Sequence, residues 1–102
     1  MPSSEKTQLR HPDSQKEAPR ISTEKYEAVR AAILEAVPHD EEGIPFKDLD
    51  TRVASLLPQD ALEALGSVGW YTTSVKLDLE ARGLIERVPG ARPQRLRRVQ
   101  SR

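Results

Sequence analysis

The run Leu79-Glu80-Ala81-Arg82-Gly83-Leu84-Ile85-Glu86-Arg87 constrains the fold most, because the hydrophobic period changes inside it. Upstream, Val68, Tyr71 or Thr72, Val75 and Leu79 recur at three- and four-residue spacing, which predicts a helix from Val68 to Arg82, capped by Ser67. Gly83 stands where a helix C-terminus favours a left-handed residue. Leu84 to Val88 then reads as a short strand, Pro89-Gly90-Ala91-Arg92-Pro93 as a turn, and Gln94 to Val99 as a second strand with Leu96 between Arg95 and Arg97. A helix is thus delivered directly into a β-hairpin. A lone hairpin is marginal in water, so this one must pack on helices, with Ile85 and Leu96 the residues placed to do so.

Two further helices precede this unit. Ser22 or Thr23 can cap the first, and Tyr26, Val29, Ile33 and Val37 form its apolar stripe, widened by Ala32 and Ala36 and ended at Pro38. Ile44-Pro45-Phe46 is a short extended step, since Pro45 moves Ile44 away from helical geometry. The second helix carries Phe46, Leu49, Val53 and Leu56 or Leu57 on one face and closes at Pro58. Pro58 to Leu65 can add one or two helical turns before Gly66. The expected class is α+β, mainly α with a small β-hairpin: three main helices followed by two strands. Residues 22–99 form the expected domain. Residues 1–21 have one large aliphatic side chain beyond Met1 before Ile21 and three prolines, and are expected to be a disordered tail; residues 100–102 are expected to be a C-terminal tail.

The segment Leu79 to Arg87 resembles the "L-E-x-x-G-L-I-x-R" passage of bacterial regulators of the MarR and PadR type, where it joins the recognition helix to the first strand of a wing. The resemblance implies a winged helix-turn-helix covering about Thr23 to Val99, with Leu79 in the core, Gly83 turning the chain and Arg87 opening a basic wing face. Trp70 to Glu80 (WYTTSVKLDLE) also resembles a family of small bacterial proteins of unknown function. The chain departs from the MarR type in lacking long dimerisation helices. Its stretch from Pro58 to Gly69 is also longer than the usual turn between the helices of such a motif.

Charge is unevenly spread although the net charge is +0. Residues 22–81 hold five basic and twelve acidic side chains, net −7, whereas residues 82–102 hold seven arginines and one glutamate, net +6. Such asymmetry points one end toward something anionic, unless the acidic helices and basic end complement each other within the molecule. There is no cysteine, which excludes disulfides, thiolate metal sites and cysteine nucleophiles. No run reaches the length of a membrane span, and no apolar signal-peptide core opens the chain, so a cytoplasmic location is expected. His39 beside Asp40, Glu41 and Glu42 lacks a second ordered histidine and makes a poor metal site. No phosphate loop, nucleophile elbow or acid–base pair is present, so the expectation is a binding module that is not an enzyme and takes no cofactor, metal or small-molecule ligand.

The resemblance places the N-terminal half of the third main helix near the DNA major groove. On this sequence that means Thr72, Thr73, Ser74 and Lys76, whose hydroxyls and ammonium can reach phosphates or base edges, with Trp70 beside them. Asp78 and Glu80 on the same helix oppose a polyanion. Arg87, Arg92, Arg95, Arg97 and Arg98 lie on or beside the hairpin, where guanidinium forks suit phosphates; alternation sets Arg95 and Arg97 on one face, Arg98 on the other and Arg92 at the tip. Double-stranded DNA is the expected partner. The alternative is a protein–protein adaptor, which requires an exposed apolar patch, with Leu62, Leu65 and Leu77 as candidates. Trp70 is expected to be partly buried against neighbouring elements.

Overall fold

The structure is a computed structural model that describes residues 5–99. The predicted order holds from the first helix onward: α1 (Thr23–Ala36), then a short strand Ile44–Pro45, α2 (Phe46–Leu56), α3 (Gln59–Leu65), α4 (Val68–Ala81) and two strands, Ile85–Arg87 and Arg95–Arg98. A strand pair precedes them, so in chain order β1 is Lys6–Gln8, β2 Arg20–Ser22, β3 Ile44–Pro45, β4 Ile85–Arg87 and β5 Arg95–Arg98. The described residues therefore form an α+β domain with four helices and two small antiparallel sheets.

Each helix begins and ends for a local reason. The Ser22 hydroxyl accepts the Lys25 N–H and the Ser67 hydroxyl accepts the Trp70 N–H, satisfying donors that an N-terminus leaves orphaned. Gly83, at φ +78°, turns the chain out of α4 into β4. Val29, Ile33 and Val37 from the first helix and its C-cap, Leu49 and Val53 from α2, Val75 and Leu79 from α4, and Ile85 and Leu96 from the hairpin are all at most 1 % exposed. Burying each such side chain contributes about 1.5–3 kcal/mol, which is how a short hairpin becomes part of the domain.

The strand β5 is central in its sheet, pairing with β4 on one edge and β3 on the other. Leu96 is opposite both Ile44 and Arg87, and Arg97 is opposite Glu86. Gly43, at φ +66°, lies so close to the Leu96 carbonyl that a Cβ there would collide with it. The loop before β3 thus runs hard against the backbone of β5.

The largest departure from expectation lies in residues 5–21, which are part of the fold. β1 pairs antiparallel with β2, and Leu9 and Ile21 are 2 % and 5 % exposed. The Leu9 N–H donates to the Pro19 carbonyl at 3.0 Å, and the Thr23 N–H donates to the Glu5 carbonyl at 3.1 Å. On its own composition the segment would have to bury itself, which it cannot do. Here two aliphatic side chains join a core the helices already supply, and that burial offsets the cost of ordering. Residues 1–4 and 100–102, the remainder of the two expected tails, lie outside the described residues.

Candidate nucleic-acid interface

Helix α4 has a core side, an outward side and two flanks between them, set by a rotation of about 100° per residue. Thr72, Val75 and Leu79 face the core and are all 0 % exposed. Trp70, Thr73, Ser74, Leu77 and Ala81 lie on the side away from that core; Trp70 and Thr73 are exposed and the other three half-buried. The two flanks between these sides carry the charged residues.

One flank holds Lys76 and Glu80. The Lys76 Nζ lies 2.8 Å from Glu80 Oε2 and 4.8 Å from the centre of the Phe46 ring. Burial lowers the Lys76 pKa from its ordinary value, opposed in part by the hydrogen bond to Glu80. Arg87 reaches over from β4 and donates from Nε to Glu80 Oε1 at 2.9 Å. One carboxylate thus serves two cations where the hairpin meets the helix.

The other flank holds Asp78 and Arg82. Asp78 is fully buried, and its carboxylate accepts from Tyr26 Oη at 2.7 Å, Arg82 Nε at 2.9 Å and the backbone N–H of Arg10 at 2.8 Å. Burial raises the Tyr26 pKa, and the hydrogen bond to Asp78 adds to the shift. The same carboxylate raises Arg82. This cluster joins α1, α4 and the N-terminal strands. The sequence reading missed it; the one available signal was the helical spacing of Asp78 and Arg82.

The predicted site residues therefore separate. Thr72 and Lys76 do not reach an external partner. Thr72 is 0 % exposed and its hydroxyl has no hydrogen-bond partner among the described residues, while Lys76 is 2 % exposed and held by Glu80. The physical reason is helix phase: both positions fall on or beside the core side, and the lysine stem packs against Phe46. Thr73 is exposed and Ser74 half-buried. Trp70, expected to be partly buried, is 48 % exposed, with its ring edge-on to Tyr71. Leu65 is buried and Leu62 and Leu77 are half-buried, so the apolar exposure expected of them falls instead on Leu56, Trp70 and Val99.

The hairpin does bring its arginines together, but they point in different directions. Arg97 pairs across the strands with Glu86 at 2.6 Å on the outward face. Arg95 donates to the carbonyls of Glu42 at 2.6 Å and Gly43 at 3.2 Å, and Arg98 donates to the Val37 carbonyl at 3.1 Å. That last contact places a cation at the C-terminal end of α1, where the helix dipole is negative. Arg92 is exposed at the tip and has no side-chain partner among the described residues. A carboxylate lies at the opposite end of the face. A Cβ at Gly69 would sit 3.3 Å from Asp50 Oδ2, so Asp50 lies against the first turn of α4.

The family profile that fits this sequence covers residues 6–96. The chain belongs to DUF6958, a family of unknown function. No curated protein and no solved structure matches it. The matched span begins at β1, so the N-terminal strand pair belongs to the family's domain as well as to this fold. Among the described residues no helix is long and apolar enough to cross a membrane.

Proposed function

We propose that this chain is a winged-helix binding module that contacts double-stranded DNA mainly through its wing, the β4–β5 hairpin, in transcription regulation or another DNA-associated role. The element order and the packing of the hairpin against α4 support the fold assignment. The observation that carries the function is the hairpin itself. It gathers Arg87, Arg92, Arg95, Arg97 and Arg98 against one carboxylate of its own, Glu86, and one of α4, Glu80, with Arg92 at the tip holding no side-chain partner among the described residues.

The internal ion pairs do not oppose this. The Arg97–Glu86 pair is half-buried on the outward face, and ion pairs near the surface are worth about 0–1 kcal/mol, so a phosphate can replace the carboxylate at modest cost. Helix α4 contributes less than its place in the order implies. With Thr72 and Lys76 withdrawn and Asp50 at its N-terminal end, it offers Thr73 and Ser74 hydroxyls and no cation on its outward face. The binding proposed is therefore driven by phosphates, steeply salt-dependent and tolerant of sequence.

A second reading, a protein adaptor, is favoured by one observation: Trp70 stands half-exposed on the uncharged face of α4. One experiment separates the two, an amide-shift titration of labelled protein with a short mixed-sequence duplex at low and then moderate salt. The DNA reading expects salt-sensitive shifts at Arg92, Arg95, Arg97 and Thr73 to Ser74. Absence of shifts at low salt, where phosphate attraction is strongest, overturns it in favour of the adaptor.

A further inference from the structure

We infer that the N-terminal strand pair is a second phosphate-binding arm, placed across α4 from the β4–β5 hairpin so that the two grip a duplex from both sides. The inference rests on the DNA reading above and adds a site that reading does not contain.

The geometry begins with helix phase. Residues 78 and 80 are about 200° apart around α4, so they mark opposite flanks of its outward face. On the Glu80 flank stands Arg87 of the hairpin. On the Asp78 flank stands the arm. The Arg10 N–H donates to Asp78 Oδ1 at 2.8 Å, and Arg82 Nη2 reaches the Gln8 carbonyl at 3.5 Å. Between the flanks lie Ser74, Leu77 and Ala81, all uncharged. A helix with its side chains is about 10–12 Å across, close to the roughly 12 Å width of the major groove. Groups on its two flanks therefore lie near the phosphates of the two strands.

The arm is net positive by one, with Lys6, Arg10, Lys16 and Arg20 against Glu5, Asp13 and Glu17, and its strands gather the cations on one face. In the β1–β2 register Lys6 is opposite Ser22 and Gln8 opposite Arg20, while Thr7 and Ile21 occupy the alternate positions, with Ile21 buried. The other face thus presents Lys6, Gln8 and Arg20, all exposed, and the exposed Arg10 lies just past the end of β1, after the buried Leu9. The side chains of Lys6, Arg10 and Arg20 have no ion-pair partner among the described residues. The carboxylates on the flanks of this half of α4 are occupied: Asp78 by Arg82, Tyr26 and the arm, Glu80 by Lys76 and Arg87. The repelling Asp50 sits at the other end of the helix. The footprint therefore centres on the C-terminal half of α4.

The test measures duplex affinity by fluorescence anisotropy of a labelled mixed-sequence duplex across a salt series. It compares the wild-type chain, the arm variant R10Q/R20Q, the hairpin variant R87Q/R92Q and a charge-matched control, R30Q/R52Q. Each phosphate contact removed lowers the slope of log K against log salt by about 1, so the arm variant is expected to lose about 2, with the control unchanged. An arm variant whose slope matches wild type, or a control that loses as much, overturns the inference. If the hairpin variant alone weakens binding, the arm fails while the DNA reading stands. If the wild-type chain does not bind the duplex at low salt, both fail.

Discussion

Asp78→Ala should be among the most damaging single substitutions in the domain. The carboxylate is fully buried and serves three donors on three different elements. Its removal leaves the Tyr26 hydroxyl buried without an acceptor, at a cost of about 1–3 kcal/mol. The Arg10 N–H loses a part-buried bond to a charged acceptor, worth about 1 kcal/mol once water replaces it. Arg82 is partly exposed, with 29 % of its side chain accessible, so its loss is discounted to about 1 kcal/mol. The sum is about 3–5 kcal/mol, a large share of the roughly 5–15 kcal/mol that holds a typical domain folded. Urea unfolding followed through Trp70 fluorescence measures the total, and hydrogen exchange at the Arg10 amide measures the arm. The expected result is a large fall in midpoint, together with faster Arg10 exchange at urea concentrations where the core stays protected. A loss below about 1 kcal/mol with Arg10 exchange unchanged would refute the argument that this carboxylate holds the arm to α4.

Other consequences follow from the same packing. Tyr26, with its folded pKa raised above 10.0, contributes stability that is fully present below pH 10.0 and lost as pH rises through the folded value. An absorbance titration should therefore show a phenol ionising late, and Tyr26→Phe should abolish that component. Thr72→Val deletes a buried hydroxyl without a partner at nearly constant shape, and should stabilise the domain by about 1 kcal/mol in urea unfolding; a loss of that size would show that the hydroxyl is satisfied in solution. Gly43→Ala meets both a positive φ and the Leu96 carbonyl, and should cost about 2 kcal/mol or more. A neutral outcome there, read by thermal melting, would mean that the loop does not pass as close to β5 as described.

Much of this was legible in the residues themselves. The stripes of α1, α2 and α4, the stop at Gly83 and the alternation around Leu96 follow from local periodicity, because one side of each element must leave water whatever it packs against. The gathering of arginines on one hairpin was equally readable, since neighbours in sequence stay neighbours across a short turn. What the sequence alone could not decide was the partner of each charge. Lys76 looked like a free cation and is the internal partner of Glu80. Asp78 looked like a surface acid and is the buried acceptor that binds the arm. Residues 5–21 looked unable to fold because their burial is provided by elements far along the chain: Arg10 and Asp78 are 68 residues apart. Local periodicity determined the elements. Only the tertiary structure, by setting which flank of α4 meets which element, decided which charges are satisfied inside and which remain for a partner.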